Sequence, residues 1–117
     1  MRKAIILTAL LSSAATYALT QVTNMPSQTK LDNPRVRVSE VTYPPGKPRE
    51  RYIRPTDQVI VFLDESRYER IDSQSKEKTI RQRKAGEVIW HDKGEDAPVL
   101  TNLGNTPYRT LVIELKK

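Results

Sequence analysis

Residues 46–64 read GKPRERYIRPTDQVIVFLD, and this stretch decides the fold. Its second half runs Val59-Ile60-Val61-Phe62-Leu63, apolar at both parities. Successive side chains of a strand point to opposite faces, so the run predicts a strand covered on both sides. The first half packs Lys47, Arg49, Arg51 and Arg54 around Pro48 and Pro55. Positive charge on the threshold of a buried strand has three readings: a solvated edge, a pocket for an anion, or a site whose original chemistry has been replaced.

On either side the same texture repeats. Val36, Val38 and Val41 in PRVRVSEVTY nearly alternate, and Pro44-Pro45-Gly46 ends that strand. After the central run come SRYERID, KEKTIRQR, GEVIWHD, APVLTN and YRTLVIEL, separated by turn signals such as Asp72-Ser73-Gln74-Ser75, Lys84-Ala85-Gly86 and Gly104-Asn105-Thr106-Pro107. No window holds helical spacing for three turns, and eight prolines punctuate the chain. An all-β sandwich or barrel follows. In the last strand Leu111, Ile113 and Leu115 share a parity, which predicts the buried side, while Glu114 and Arg109-Thr110 supply polar neighbours, so the strand reads as half exposed. Tyr43 and Tyr108 read as strand-end residues with hydroxyls in water, and KEKTIRQRK as a solvated edge strand.

The chain opens MRKAIILTALLSSAATYALTQ, a short basic start, an apolar stretch and small residues at Thr16 and Ala18, which is the plan of a cleavable secretory signal over residues 1–18. The expected location is therefore secreted or periplasmic, with no membrane anchor after cleavage. Residues 19–33 are polar and aperiodic and read as a flexible arm ahead of a domain over 34–117. Loss of Arg2 and Lys3 lowers the formal charge from +6 to +4. That balance, with few aromatics near the basic residues, argues against nucleic acid as a partner. There is no cysteine, so the domain is held by core burial alone or with a second subunit.

Strands broken by PPG and then by KAG, with a terminal LVIELK, resemble the small single-domain cupins, antiparallel β-barrels of jelly-roll type; the likeness runs from about Asp32 to Lys116. The first cupin motif is a Gly, five residues, His-x-His, three or four residues, Glu, then six residues and a Gly. Counted from Gly46, this chain places Tyr52 and Arg54 at the histidine positions, Gln58 at the glutamate and Glu65 at the closing glycine. In the second motif Lys84-Ala85-Gly86 stands for Pro-x-Gly, and Pro98 stands where a histidine precedes Asn102. The resemblance thus implies a cupin scaffold whose metal-binding residues are replaced, and no metal or other cofactor is expected.

The same resemblance turns the face bearing Tyr52 and Arg54 into the barrel, where an arginine fork would anchor a carboxylate, sugar acid or phosphate. Tyr52, Gln58 and Trp90 would line that pocket. A shifted register remains open, with Ile53 inward and Arg51 and Arg54 on a solvated edge. Trp90, with Val88 on its face, reads as core filler, or alternatively as an aromatic wall for the ligand. His91, the single histidine, reads as a strand end entering an acidic exposed loop in WHDKGED, and no catalytic residue is assigned. The expected function is binding of a small acidic molecule. The alternatives are a non-catalytic structural dimer and a metal-independent isomerase or lyase. A homodimer is expected because the two-faced run of Val59 to Leu63 leaves apolar surface that one small barrel struggles to cover.

Overall fold

The computed structural model describes residues 24–116 and contains eleven strands and no helix among them. The strands are β1 (Ser27–Asp32), β2 (Val36–Tyr43), β3 (Pro48–Arg49), β4 (Tyr52–Ile53), β5 (Asp57–Phe62), β6 (Ser66–Ile71), β7 (Lys78–Arg83), β8 (Val88–His91), β9 (Asp96–Ala97), β10 (Val99–Asn102) and β11 (Tyr108–Leu115). They form a five-stranded sheet in the order β1-β2-β11-β5-β8, a four-stranded sheet in the order β3-β10-β6-β7, and a short β4-β9 ladder. Every ladder between named strands is antiparallel. The all-β barrel read from the sequence is the fold observed. The signal expected over residues 1–18, and residues 19–23 of the expected arm, lie outside the described residues.

Turn chemistry fits the chain reversals. Gly46, Gly86 and Gly94 adopt φ of 73°, 90° and 86°, a region in which side chains other than glycine's are strained. Asp64, just past β5, takes three donors from Arg109 at the start of β11: the backbone N–H and Nε at 2.9 Å and Nη2 at 3.0 Å. The Arg109 guanidinium holds the Asp64 carboxyl below its usual range.

Residues 24–33 are not a loose arm. Met25 is buried in the core, Thr42 donates its N–H to the Pro26 carbonyl, and β1 pairs with β2 through a bulge between Thr29 and Leu31. The polar composition conceals a strand because β1 is an edge strand with little to bury.

The inner face is aromatic at its centre. Tyr43 and Tyr108 stack at 4.7 Å between ring centroids, with Phe62 and Tyr68 at 6.1–6.3 Å from the Tyr108 ring. Both Tyr43 and Tyr108 are buried, not strand-end residues reaching water. The reason is register: Tyr108 lies opposite Tyr43, and the next inward position, Thr110, lies between Val41 and Phe62, which are themselves core. That register also reverses the expected parity of β11. Tyr108, Thr110 and Glu114 are buried, while Leu111, Ile113 and Leu115 occupy the opposite face.

Glu114 lies between Arg37 and Gln58 on neighbouring strands and is 5% exposed. Burial pushes its pKa above 4.5, against the pull of Arg37 and Lys116. A raised folded pKa means that the native state keeps a proton the unfolded chain releases. Stability therefore falls as pH rises from 4.5 through the raised value, and at neutral pH the buried charge is a standing cost. Glu114→Gln should raise stability and Tm at neutral pH and flatten that acid-side slope. Thermal melts across pH measure both effects; a variant less stable than the parent at pH 7 contradicts this reading of Glu114.

The outer face of the five-stranded sheet is apolar. Leu31, Val38, Ile113, Val59 and Trp90 are successive cross-strand partners in one row across all five strands. Leu111, Val61 and Val88 form a second row beside it. Leu31, Val88 and Trp90 are each at least half exposed. β1 extends the sheet edge instead of lying across this face, so residues 24–33 leave it open. β7 is the exposed edge strand expected for KEKTIRQRK.

Candidate functional site

The two parities of the charged approach separate cleanly. Ile53 is 51% exposed and Arg51 reaches Asp96 at 2.6 Å on the outside, whereas Arg54 is 5% exposed and points into the barrel. The β4–β9 ladder fixes this register. Beyond its two pairs, Arg54 donates its N–H to the Glu95 carbonyl, and its own carbonyl accepts from Gly94 at 2.8 Å. Pro55 cannot shift the strand while these bonds hold.

Inside, Tyr52, Arg54 and Gln58 come together. Arg54 Nη1 donates to Gln58 Oε1 at 2.8 Å and to the Tyr52 hydroxyl at 3.2 Å. Gln58 is fully buried, and its Nε2 has no hydrogen-bond partner. Two guanidiniums lie over the Tyr52 ring, with Cζ of Arg49 at 5.3 Å and Cζ of Arg54 at 5.6 Å from its centroid, a cation–π arrangement on a partly buried ring. Burial raises the Tyr52 pKa, so the phenol stays neutral and can donate a hydrogen bond.

Arg49 is the residue that sequence reasoning left in the charged cluster without a role. It is 4% exposed, donates Nη1 to the Tyr43 hydroxyl at 3.4 Å and Nη2 to the Pro98 carbonyl, and keeps its Nε unpartnered. Arg54 Nε is unpartnered as well. Neither guanidinium has a carboxylate within 4.0 Å among the described residues. Burial, with Arg49 among the contributing charges, lowers the Arg54 pKa, but a guanidinium stays protonated at any physiological pH.

These side chains border a cavity of about 320 Å³, at the lower end of small-molecule sites. Its apolar wall comes from Ile60, Phe62, Ile89, Leu100, Tyr108 and Val112, and Arg70, Arg81 and Arg83 reach it from the four-stranded sheet. Its acids are already engaged. Asp96 meets Arg51 and Ser73, and Glu95 accepts from His91 and from the Asp92 N–H. A wider cleft of about 520 Å³ lies beyond Tyr108 and Arg83, but the cationic side chain shared with it, Arg83, is held by Glu87 at 2.9 Å.

His91 ends β8 at the acidic loop, as expected, and, lying opposite buried Gln58, its ring also borders the cavity. Nδ1 lies 3.2 Å from Glu95 Oε1. Burial and the facing charges of Arg54 and Arg70 lower its pKa, against Glu95, so the ring is neutral at pH 7. Trp90 moves the other way. It borders the cavity, yet it is registered opposite Val59 on the outer parity, is 51% exposed, and donates its indole N–H to Asp92 at 2.8 Å. It is not core filler, because β8 is an edge strand and none of the described residues covers its outer side.

The four positions that would hold a divalent cation do not fit one: Tyr52, Arg54, Gln58 and Pro98 offer no carboxylate or imidazole, and the guanidiniums of Arg49 and Arg54 repel a metal beside them. Among the described residues no group of three or more His, Cys, Asp or Glu is gathered.

No protein-family model and no curated protein sequence matches the chain. Solved structures do. A cupin domain from Bordetella pertussis Tohama I aligns with TM-score 0.70 and 22% identity over 80% of this chain and 94% of its own. An RmlC-like cupin with a double-stranded β-helix from Methanocaldococcus jannaschii aligns at 0.62 and 9% identity over 79% of this chain and 80% of its own. The polyketide cyclase RemF from Streptomyces resistomycificus aligns at 0.63 and 17% identity over 78% of this chain and 64% of its own. The cupin-like strand pattern around Gly46 and Gly86 and these alignments agree: the chain has the fold of a small cupin, a double-stranded β-helix.

Proposed function

We propose that the chain is an exported, metal-independent binding module that takes a small acidic molecule into its barrel, with Arg49 and Arg54 as anchors and Tyr52 and Gln58 beside them. One observation carries this reading: two buried guanidiniums face one cavity, and among the described residues neither has a carboxylate within 4.0 Å. An unpaired buried charge costs several kcal/mol, and two like charges in one chamber add their repulsion. A carboxylate or phosphate oxygen pair offsets both, since the guanidinium fork binds it bidentately in a low-dielectric site. The Nε–H of each arginine is buried and has no partner in the protein, so neither guanidinium is fully satisfied by its own surroundings.

Native mass spectrometry of the mature protein tests the reading. A mass increment matching a small organic acid or phosphate should persist under mild conditions and disappear on acid denaturation. A protein that carries no acid and gains none from millimolar acetate, glucuronate or phosphate would overturn it. The same sample settles the metal. Dialysed protein should retain far less than one equivalent of Mn, Fe, Ni or Zn, and a full equivalent lost on Gln58→Ala would contradict the fit argued above.

A second reading, a metal-independent isomerase or lyase, is favoured by the His91–Glu95 pair. A neutral imidazole whose Nδ1–H is held by a carboxylate presents Nε2 as a general base, and here it shares a cavity with the anchors. On this reading His91→Gln leaves acid binding within about twofold but removes turnover, whereas a pure binding module has no turnover to lose.

We also propose that the protein is a homodimer joined through the outer face of the five-stranded sheet. The apolar row from Leu31 to Trp90 is continuous, and β1 leaves it uncovered. A two-fold pairing sets like rows against each other and covers the outer half of the Val59–Leu63 run.

A further inference from the structure

Four of the arginines bordering the cavity have no carboxylate within 4.0 Å among the described residues, and they fall into two pairs. Arg49 and Arg54 sit at the inner end. Arg70 and Arg81 sit on the four-stranded sheet: Arg70 is opposite Leu100, Arg81 is opposite Tyr68, and both share the inward parity of buried Tyr68. On adjacent strands this makes them diagonal neighbours on one face. Arg49 is also opposite Leu100, from the other side of β10, so the Cα atoms of Arg49 and Arg70 lie two strand spacings apart, roughly 10 Å. Between them the wall is Leu100, faced by Ile89 and Val112 from the other sheet. His91 borders the same cavity, opposite Gln58.

We infer that Arg70 and Arg81 form a second anion subsite, and that the barrel's ligand is a short linear dicarboxylate. One carboxylate sits on Arg49 and Arg54, the other on Arg70 and Arg81, and the hydrocarbon linker lies along Leu100, Ile89 and Val112. This rests on the acid-binding reading above and narrows it. Carboxylate suits the site better than phosphate. The lining holds no lysine and no glycine-rich turn, so a tetrahedral group would find guanidiniums but no cradle of backbone N–H donors. A sugar acid would press hydroxyls against an apolar wall.

Isothermal titration at constant ionic strength with succinate, glutarate and adipate against butyrate, valerate and hexanoate tests it. The best diacid should bind at least tenfold tighter than the monoacid of equal length. Arg70→Gln and Arg81→Gln should each erase most of that gain and leave the monoacid's affinity within twofold; Arg54→Ala should weaken both acids. Arg70 and Arg81 are surface-reaching side chains of β6 and β7, and unchanged melting of the variants confirms that the barrel persists. Diacids no tighter than monoacids, or a diacid advantage surviving in both glutamine variants, would overturn the second subsite while leaving acid binding standing. If neither acid series binds the parent protein, the acid-binding reading and the subsite fall together.

Discussion

Arg54→Ala should weaken binding of the barrel's acid by about 30-fold to several-thousand-fold, the cost of about 2–5 kcal/mol for removing one partner of a buried, hydrogen-bonded charge pair. The fold should survive. Arg54 makes no ion pair, and its loss leaves only Gln58 Oε1 and the Tyr52 hydroxyl to rebond with water in a cavity that can admit it. Arg54→Lys should recover part of the affinity, because the ammonium keeps the charge and loses the planar fork. Arg51→Ala, on the outer parity and paired with Asp96, should bind normally. Titration of the three variants distinguishes an anion anchor from a merely basic surface. An Arg54→Ala protein of parental affinity, or an Arg51→Ala protein without any, contradicts the site.

Ile113→Asp should convert a dimer to a monomer. Ile113 lies between Val38 and Val59 at the middle of the outer apolar row. A carboxylate there would meet its symmetry mate and lose its water in the interface, which costs several kcal/mol without a partner cation. Light scattering at micromolar concentration should give two chains per particle for the parent and one for the variant. Acid binding by the variant should be unchanged, since the cavity lies on the other side of the sheet. A parent that is monomeric at tens of micromolar, with a Tm independent of dilution, rules the interface out.

What the sequence could convey follows a physical line. Strand identity was legible because Val, Ile and Phe runs between Gly and Pro punctuation carry it locally. That Tyr52 and Arg54 share a face was within reach for the same reason, since parity along a short segment is local; that this face turns inward, with Gln58 beside it, came from the cupin resemblance. Cross-strand register is not local, and the misreadings cluster there. β11 presents Leu111, Ile113 and Leu115 outward because Tyr108 and Thr110 are locked opposite core residues of β2 and β5. An apolar parity says core only when the interior is apolar, and this barrel keeps Thr110, Gln58 and Glu114 inside. Trp90 and Val88 misled in the same way, as large apolar residues on the open side of an edge strand. Arg49 escaped notice because Glu50 and Arg51 interrupt the parity between β3 and β4, so no count from Arg54 could reach it. Residues 24–33 were hidden by polar composition, although burial of Met25 and pairing with β2 fix their place.

Arg49 and Arg54 have no carboxylate within 4.0 Å among the described residues, and their response to an anion can be read at their own nitrogens. In protein labelled with ¹⁵N at arginine, the Nε–H resonances of Arg49 and Arg54, assigned through Arg49→Lys and Arg54→Lys, should shift downfield together and saturate at a common midpoint as succinate is added. Those of exposed, ion-paired Arg51 and Arg109 should move little. Saturable shifts at the buried pair are the predicted result. Shifts confined to surface arginines, with Arg49 and Arg54 unmoved at tens of millimolar acid, would contradict the account.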